Sequence, residues 1–336
     1  MKKILYIGNK LMIHGQTATT IETLGPMLES EGFTVYYAST VKNKFFRMCD
    51  MIGALLRRSF SIDYVIIDTY GAVNFWYALI ISQLCRMLHI KYIPFLHGGD
   101  LPKRLNKSPF FCRLLFNHSY RNIAPSGYLI SIFQQKGFSD IKYIPNTIDI
   151  ANYPFKKRSS VHPKLLWVRA ISTIYNPVMA LDVYEQLLKK FPGSSLCIVG
   201  PDKNGYLPKV ISHANKKNLD VLFTGRLSKP EWISLSQEYD VFINTTRYDN
   251  MPVSVIEAMA LGLPVVSTNV GGIPFLLKNE ETALLVESED VTAMANSISR
   301  LVENPEMCER MVVKGREMVD DFDWKIVRQK WFDVLK

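Results

Sequence analysis

Two doubly wound α/β halves joined by a proline-bearing linker are the architecture this sequence predicts. Three observations carry that prediction. Short apolar runs rich in β-branched residues alternate with helix-length segments through the first half of the chain. The alternation stops between residues 145 and 163, where three prolines, two serines and the basic run Lys156, Lys157, Arg158 intervene. It then restarts and continues almost to the end. Continuous apolar strands separated by helices imply parallel sheets covered on both faces, and 336 residues are enough for two cores.

In the first half, strands are expected at residues 4–7, 34–38, 64–68, 92–96, 121–124 and 142–144, with helices at 17–31 and 74–88 among the connections. The longest uncharged run, residues 69–85, is short for a membrane span and contains Gly71, Asn74, Ser82 and Gln83. A helix buried against the sheet is the better reading. The N-terminal apolar stretch is too short for a signal peptide and reads as the first strand. In the second half, strands are expected at 164–168, 195–199, 221–224, 241–244, 264–267 and 283–286. Helices are expected at 178–190, 208–216, 230–238 and 253–261, followed by 291–303, 306–320 and 324–335.

Charge is unevenly distributed. The chain has 40 Lys and Arg against 31 Asp and Glu, a net +9. Residues 1–157 hold 19 and 9 of these, a surplus of +10, and residues 158–336 hold 21 and 22, or −1. Such asymmetry points to a polyanionic or membrane-surface partner for the first half. Five scattered cysteines with no CxxC pair fit reduced thiols in a cytoplasm better than a disulfide framework or zinc site. Gly8 to Gly15 matches neither GxGxxG nor GxxxxGK[ST], which removes the main support for a nicotinamide or ATP site.

The chemistry concentrates in residues 244–276. A strand ends at Asn244, and Pro252 is expected in the first turn of a helix closed by Gly262 in a left-handed cap. The first amides of that helix, at Val253, Ser254 and Val255, lack intrahelical acceptors and suit a phosphate. Glu257, one turn on, would repel phosphate, so its natural partner is a neutral diol such as a ribose. Asp249 could reach the sugar end of the same ligand. Gly271 and Gly272 permit close backbone approach after the next strand. Taken singly, Asp249 or Asn250 could merely cap a helix, and Glu257 could be a solvated position.

Together, Asp249, seven residues, Glu257-Ala-Met-Ala-Leu-Gly-Leu-Pro-Val-Val266, then Gly271-Gly272 resembles the donor-binding motif of retaining GT-B glycosyltransferases of the family-4 type, the group 1 glycosyl transferases. Weaker matches follow in the family's order: Ala124-Pro125-Ser126, Pro145-Asn146-Thr147-Ile148-Asp149, Ile198-Val199-Gly200, Phe223-Thr224-Gly225 and Phe322-Asp323-Trp324. The resemblance implies two Rossmann-like domains facing across a cleft. Residues 1–157 with the returning helix 324–336 would bind the acceptor, and residues 158–323 the nucleotide sugar.

The resemblance also implies roles. Arg169, at a strand end, would grip the diphosphate, and His97 would contact the donor sugar, with Asp249 completing the catalytic set. Gly15 would lie near the phosphates. Gly225, Arg226 and Leu227 would border the base, and Met251 to Val255 with Glu257 would hold the rest of the donor. The family has Lys shortly after the Arg; here Thr173, Asn176 or Lys203 would have to substitute. No metal or resident cofactor is expected, the nucleotide-diphosphate sugar being a co-substrate. Asp320, Asp321 and Asp323 are read as a helix junction. The activity implied is metal-independent, retaining hexosyl transfer to a hydroxyl.

The surplus charge gathers at residues 41–60, where basic and apolar side chains interleave, and at 101–121, which has no acidic residue. An amphipathic helix on an anionic bilayer fits, as does an ordinary helix with a solvated cationic face. With the family resemblance, this favours a lipid-linked or cell-surface glycan acceptor and a cytoplasmic protein peripheral to the inner membrane face. No nucleic-acid motif is present. The second functional reading is a binding module on the same fold, prompted by Asp249 in place of Glu and by the missing Lys.

Overall fold

In the computed structural model, residues 2–14 and 19–336 are described. The chain divides into two compact units. The first comprises Met1–Thr147 with Trp324–Lys336, and the second Ile148–Asp323.

The first unit contains β1 (Lys3–Ile7), α1 (Thr20–Ser30), β2 (Thr34–Ala38), α2 (Lys44–Arg58), β3 (Tyr64–Thr69), α3 (Asn74–Met87) and β4 (Lys91–Leu96). It continues through α4 (Leu101–Lys107), α5 (Pro109–Phe116), β5 (Asn122–Ala124), α6 (Gly127–Gln135) and β6 (Ile141–Tyr143). The parallel sheet runs β2-β1-β3-β4-β5-β6. Helices α2 to α6 cover one face with a core including Met51, Phe75 and Phe133. The basic segment 101–121 is two helices, broken at Ser108 because the following Pro109 disfavours helical backbone there.

The last helix, α14 (Trp324–Val334), packs with α1 on the opposite face. Trp324, Val327, Trp331 and Val334 recur at helical spacing and are all buried. Trp331 meets Phe95 edge-on at 5.3 Å. Burying an aromatic of that size contributes up to about 3 kcal/mol. Trp324 and Arg328 both donate to Glu31 Oε1, at 3.1 and 2.9 Å.

The second unit contains β7 (Lys164–Val168), α7 (Pro177–Lys190), β8 (Ser195–Val199), α8 (Leu207–Lys216), β9 (Leu222–Gly225), α9 (Lys229–Leu235) and β10 (Val241–Asn244). It continues through α10 (Val253–Ala260), β11 (Val265–Thr268), α11 (Ile273–Leu276), β12 (Leu284–Val286), α12 (Val291–Glu303) and α13 (Pro305–Asp320). Its sheet runs β12-β11-β10-β7-β8-β9. The direction of winding reverses between β7 and β10, and in the first sheet between β1 and β3. In open α/β sheets, ligands bind at the carboxyl ends of the strands flanking such a reversal.

Two local expectations need correction. Pro252 is extended and precedes α10 instead of occupying its first turn. The second unit begins at Ile148, ahead of the expected boundary after Lys157. Hydrogen bonding explains the difference. Ile148 N–H donates to Phe322 O at 3.1 Å, and Lys156 N–H to Leu261 O at 3.2 Å. Arg158 is buried and donates to five carbonyls, those of Lys156, Ser236, Tyr239, Leu261 and Gly262, at 2.9–3.2 Å. Gly262 has the expected left-handed conformation (φ 76°), and a Cβ there would meet Lys156 O at 2.2 Å. Among the described residues, no helix is long and apolar enough to cross a membrane.

Candidate active site

In the second unit, the reversal point brings two predicted residues together. Arg169 follows β7 and Asp249 lies in the loop after β10. Their side chains form an ion pair. The guanidinium also lies 4.2 Å over the Tyr175 ring. Arg169 Nε is buried and has no partner among the described residues. Asp249 Oδ1 accepts from Asn250 N at 2.9 Å. The loop is clamped by Gly272, whose N–H donates to Asp249 O at 2.9 Å. A Cβ on Gly272 would fall 1.7 Å from Asn250 O. The glycine pair therefore makes room for the chain's own loop.

α10 starts where this loop ends. Val255 N–H already donates to Pro252 O at 3.2 Å, which removes it from the expected trio of free amides and leaves, among the described residues, Val253 and Ser254. The Ser254 hydroxyl is buried and lacks a partner among the described residues. A buried hydroxyl with nothing to bond costs free energy. It and Arg169 Nε are both left unsatisfied among the described residues.

Glu257 is only 3% exposed, which excludes a solvated position. Its Oε1 accepts from Tyr153 OH at 2.7 Å and pairs with Lys229 Nζ. Burial holds the Tyr153 phenol above its usual range, so it remains a donor. The Lys229 side chain is 56% exposed along its length, yet burial around its ammonium pulls its pKa down to about 8. Met251 and Pro252 are buried and Val253 half-buried; Met251 and Val253 pack in the same core as Leu227. Gly225 ends β9 with φ 69°, and Arg226 beside it is exposed.

The residues considered as replacements for the missing Lys differ in availability. Asn176 is buried, caps α7 and donates to Glu289 at 3.0 Å, so it is already engaged. Lys203 is exposed, with its N–H on Ile171 O at 3.0 Å. Arg247, which the sequence reading missed, lies against the loop after β7. Its N–H donates to Ile174 O at 2.8 Å, and its side chain bonds Thr173 O and Glu289.

In the first unit, His97 follows β4 at the carboxyl edge of the sheet. Its ring packs 4.2 Å from that of Phe95 and 5.2 Å from that of Tyr70. Its Nε2 lies 3.0 Å from Asp68 Oδ1, which also accepts from Tyr6 OH at 3.0 Å. Burial and the Asp68 charge hold the Tyr6 phenol well above its usual range. Asp68 Oδ2 is buried with no partner among the described residues. Beside it is a cavity of about 10 Å³, lined by Gly8, Asn9 and Asn74 among others, room for one water. Neither Asp68 nor Tyr6 was singled out from the sequence, and neither were Tyr153 and Lys229. Gly15 lies outside the described residues.

Residues 149–318 match the family model described as glycosyl transferases group 1, half of the chain. The chain belongs to this family. Among curated relatives of this group 1 chain, a glycogen synthase of Mycobacterium tuberculosis is 27% identical over 196 residues, covering 57% of this chain and 47% of that one. An Escherichia coli UDP-Gal:alpha-D-GlcNAc-diphosphoundecaprenol alpha-1,3-galactosyltransferase is 24% identical over 204 residues, covering 54% and 52%. The matches thus span about half the length of these relatives. Anabaena Alr3699/HepE in complex with UDP-glucose superposes with a TM-score of 0.81 at 16% identity, covering 100% of this chain and 99% of that one. The group 1 chain therefore has the GT-B fold.

Proposed function

We propose that this chain is a retaining glycosyltransferase that moves a hexosyl group from a nucleotide-diphosphate sugar to a hydroxyl. The observation that carries the reading is α10. Its start holds the Val253 and Ser254 amides and a buried Ser254 hydroxyl without a partner among the described residues, Arg169 pairs with Asp249 in the loop before it, and its second turn holds the buried Glu257 carboxylate. That sequence of groups complements a diphosphate followed by a ribose diol. Solved neighbours in complex with UDP and UDP-glucose support a uridine donor.

In the reaction, the bond between C1 and the β-phosphate oxygen breaks as the acceptor oxygen attacks C1 from the same face. The acceptor proton passes to the departing phosphate oxygen. Arg169 and the Val253 and Ser254 amides offset the charge that develops there, so the reading requires no metal. Binding would draw Arg169 from Asp249 onto the phosphate and leave Asp249 to the sugar. His97, held at Nε2 by Asp68, offers Nδ1 to a sugar hydroxyl. A lipid-linked or cell-surface glycan acceptor at the inner membrane face fits the basic first unit.

A second reading, a binding module with a decayed site, draws on the Arg169–Asp249 ion pair, which occupies the guanidinium. Transfer and hydrolysis assays with UDP-, GDP- and ADP-sugars, with and without EDTA, separate the two. Turnover that survives EDTA and falls about 100- to 1,000-fold in Arg169→Ala is expected for the enzyme. Nucleotide binding with no turnover on any donor would establish the module.

A further inference from the structure

The first unit carries an outward apolar surface that its own core does not use. α2 commits Met51, Ala54 and Leu55 to the core, yet Phe45 and Phe46 are 72% and 62% exposed. α3 and α5 repeat the pattern. Trp76 is exposed on α3, and Phe110 (65%) and Phe111 are exposed on α5. All five aromatics lie in the first turns of their helices. They belong to one edge: Trp76 and Phe111 meet at 5.3 Å, and Tyr77 OH donates to Lys44 O at 3.0 Å, joining the start of α3 to that of α2. Because α2 and α3 follow β2 and β3, this edge is at the carboxyl end of the sheet, the end that carries His97.

The surroundings are cationic. Lys42 and Lys44 adjoin the start of α2, and Lys103, Arg104 and Lys107 lie on α4 just before α5, with Asp100 the acidic residue ahead of α4. Arg104 stacks 5.5 Å from the Trp76 ring. Two copies meeting here would set like charges against each other. A soluble polyanion would use the cations and leave the phenylalanines in water. A surface that is anionic outside and apolar just beneath satisfies both.

We propose that this aromatic edge docks the protein on an anionic phospholipid bilayer, the first-turn aromatics entering the headgroup–acyl boundary between Lys and Arg contacts to lipid phosphates. The proposal rests on the glycolipid-acceptor reading for its purpose, since docking would turn the His97 end of the sheet toward lipid-borne substrate. The residues concerned are exposed, so their replacement spares the core.

Full-length protein is sedimented at low salt with phosphatidylcholine vesicles containing or lacking phosphatidylglycerol. Binding is expected only with the anionic lipid. The double variants Phe45→Ser/Phe46→Ser and Phe110→Ser/Phe111→Ser should each bind at least about tenfold more weakly. Lys103→Glu/Lys107→Glu should lose about fivefold or more per position. Cys49 is the exposed cysteine and lies on α2; an environment-sensitive dye there should shift to the blue on vesicles. Calorimetric nucleotide binding should be unchanged in all three variants. Wild type that ignores anionic vesicles, or variants that bind like it, would overturn the proposal. So would a concentration-dependent dimer that the phenylalanine variants dissolve without any vesicle binding. Failure of the wild type to bind any nucleotide would refute the donor reading and leave docking decided by the vesicles.

Discussion

Each unit contains one buried carboxylate that accepts from a tyrosine and faces a basic side chain. In the first, Asp68 accepts from Tyr6 and holds His97. In the second, Glu257 accepts from Tyr153 and pairs with Lys229. The difference lies in the basic partner. His97 is buried with its carboxylate, whereas Lys229 is half in solvent. The partly exposed Lys229 can be replaced from solvent, although leaving the buried Glu257 charge unpaired would cost several kcal/mol. His97, sealed with its carboxylate, cannot. The first arrangement fixes a side chain; the second leaves one partner of its ion pair reachable from solvent.

The largest effect should come from Glu257→Gln, which keeps the shape and removes the charge. Hydrogen bonds to a charged group are worth about 1.5–3 kcal/mol, so the nucleotide Kd should rise about 10- to 100-fold by calorimetry. An unchanged Kd would make Glu257 a structural carboxylate and erase the contrast. Asp68→Asn should lower kcat about tenfold and leave nucleotide affinity alone, as expected for a group that orients another. Its specific readout is nitrogen NMR of His97, in which the tautomer held by Asp68 should give way to a mixture. If kcat fell while the spectrum stayed the same, Asp68 would not be acting through His97. The smallest effects concern stability. Tyr153→Phe should cost about 1 kcal/mol by denaturant unfolding, and Lys229→Met no less, because it strands the buried Glu257 charge. A smaller loss in Lys229→Met would show that Lys229 is a readily exchanged partner.

How much of this was legible follows from distance along the chain. Both sheets could be read because buried parallel strands are apolar on both faces, so that residues 64–68 or 264–267 stand out to within a residue of the strands formed. The Asp249–Glu257 pattern was legible because one loop and one helix hold it. The partners were not. Tyr153 is 104 residues from Glu257, in a stretch whose prolines read only as linker. Tyr6, Asp68 and His97 meet because β1, β3 and β4 are neighbours in the sheet. No local pattern encodes that adjacency. The outward face of α2 was half legible: its cations and phenylalanines could be counted, but which of them the core would claim required the helix in place.

Arg158 changes how the molecule can be cut. Its basic neighbourhood looks like a trypsin-sensitive seam, yet its guanidinium is locked onto five carbonyls of the second unit. Cleavage there requires local unfolding of that unit first, so native protein should resist nicking at this bond. A shortened second unit starting at 158 would lack Tyr153, leaving Glu257 without its phenol donor. One starting at Ile148 would keep the strap and the carboxylate's partner together.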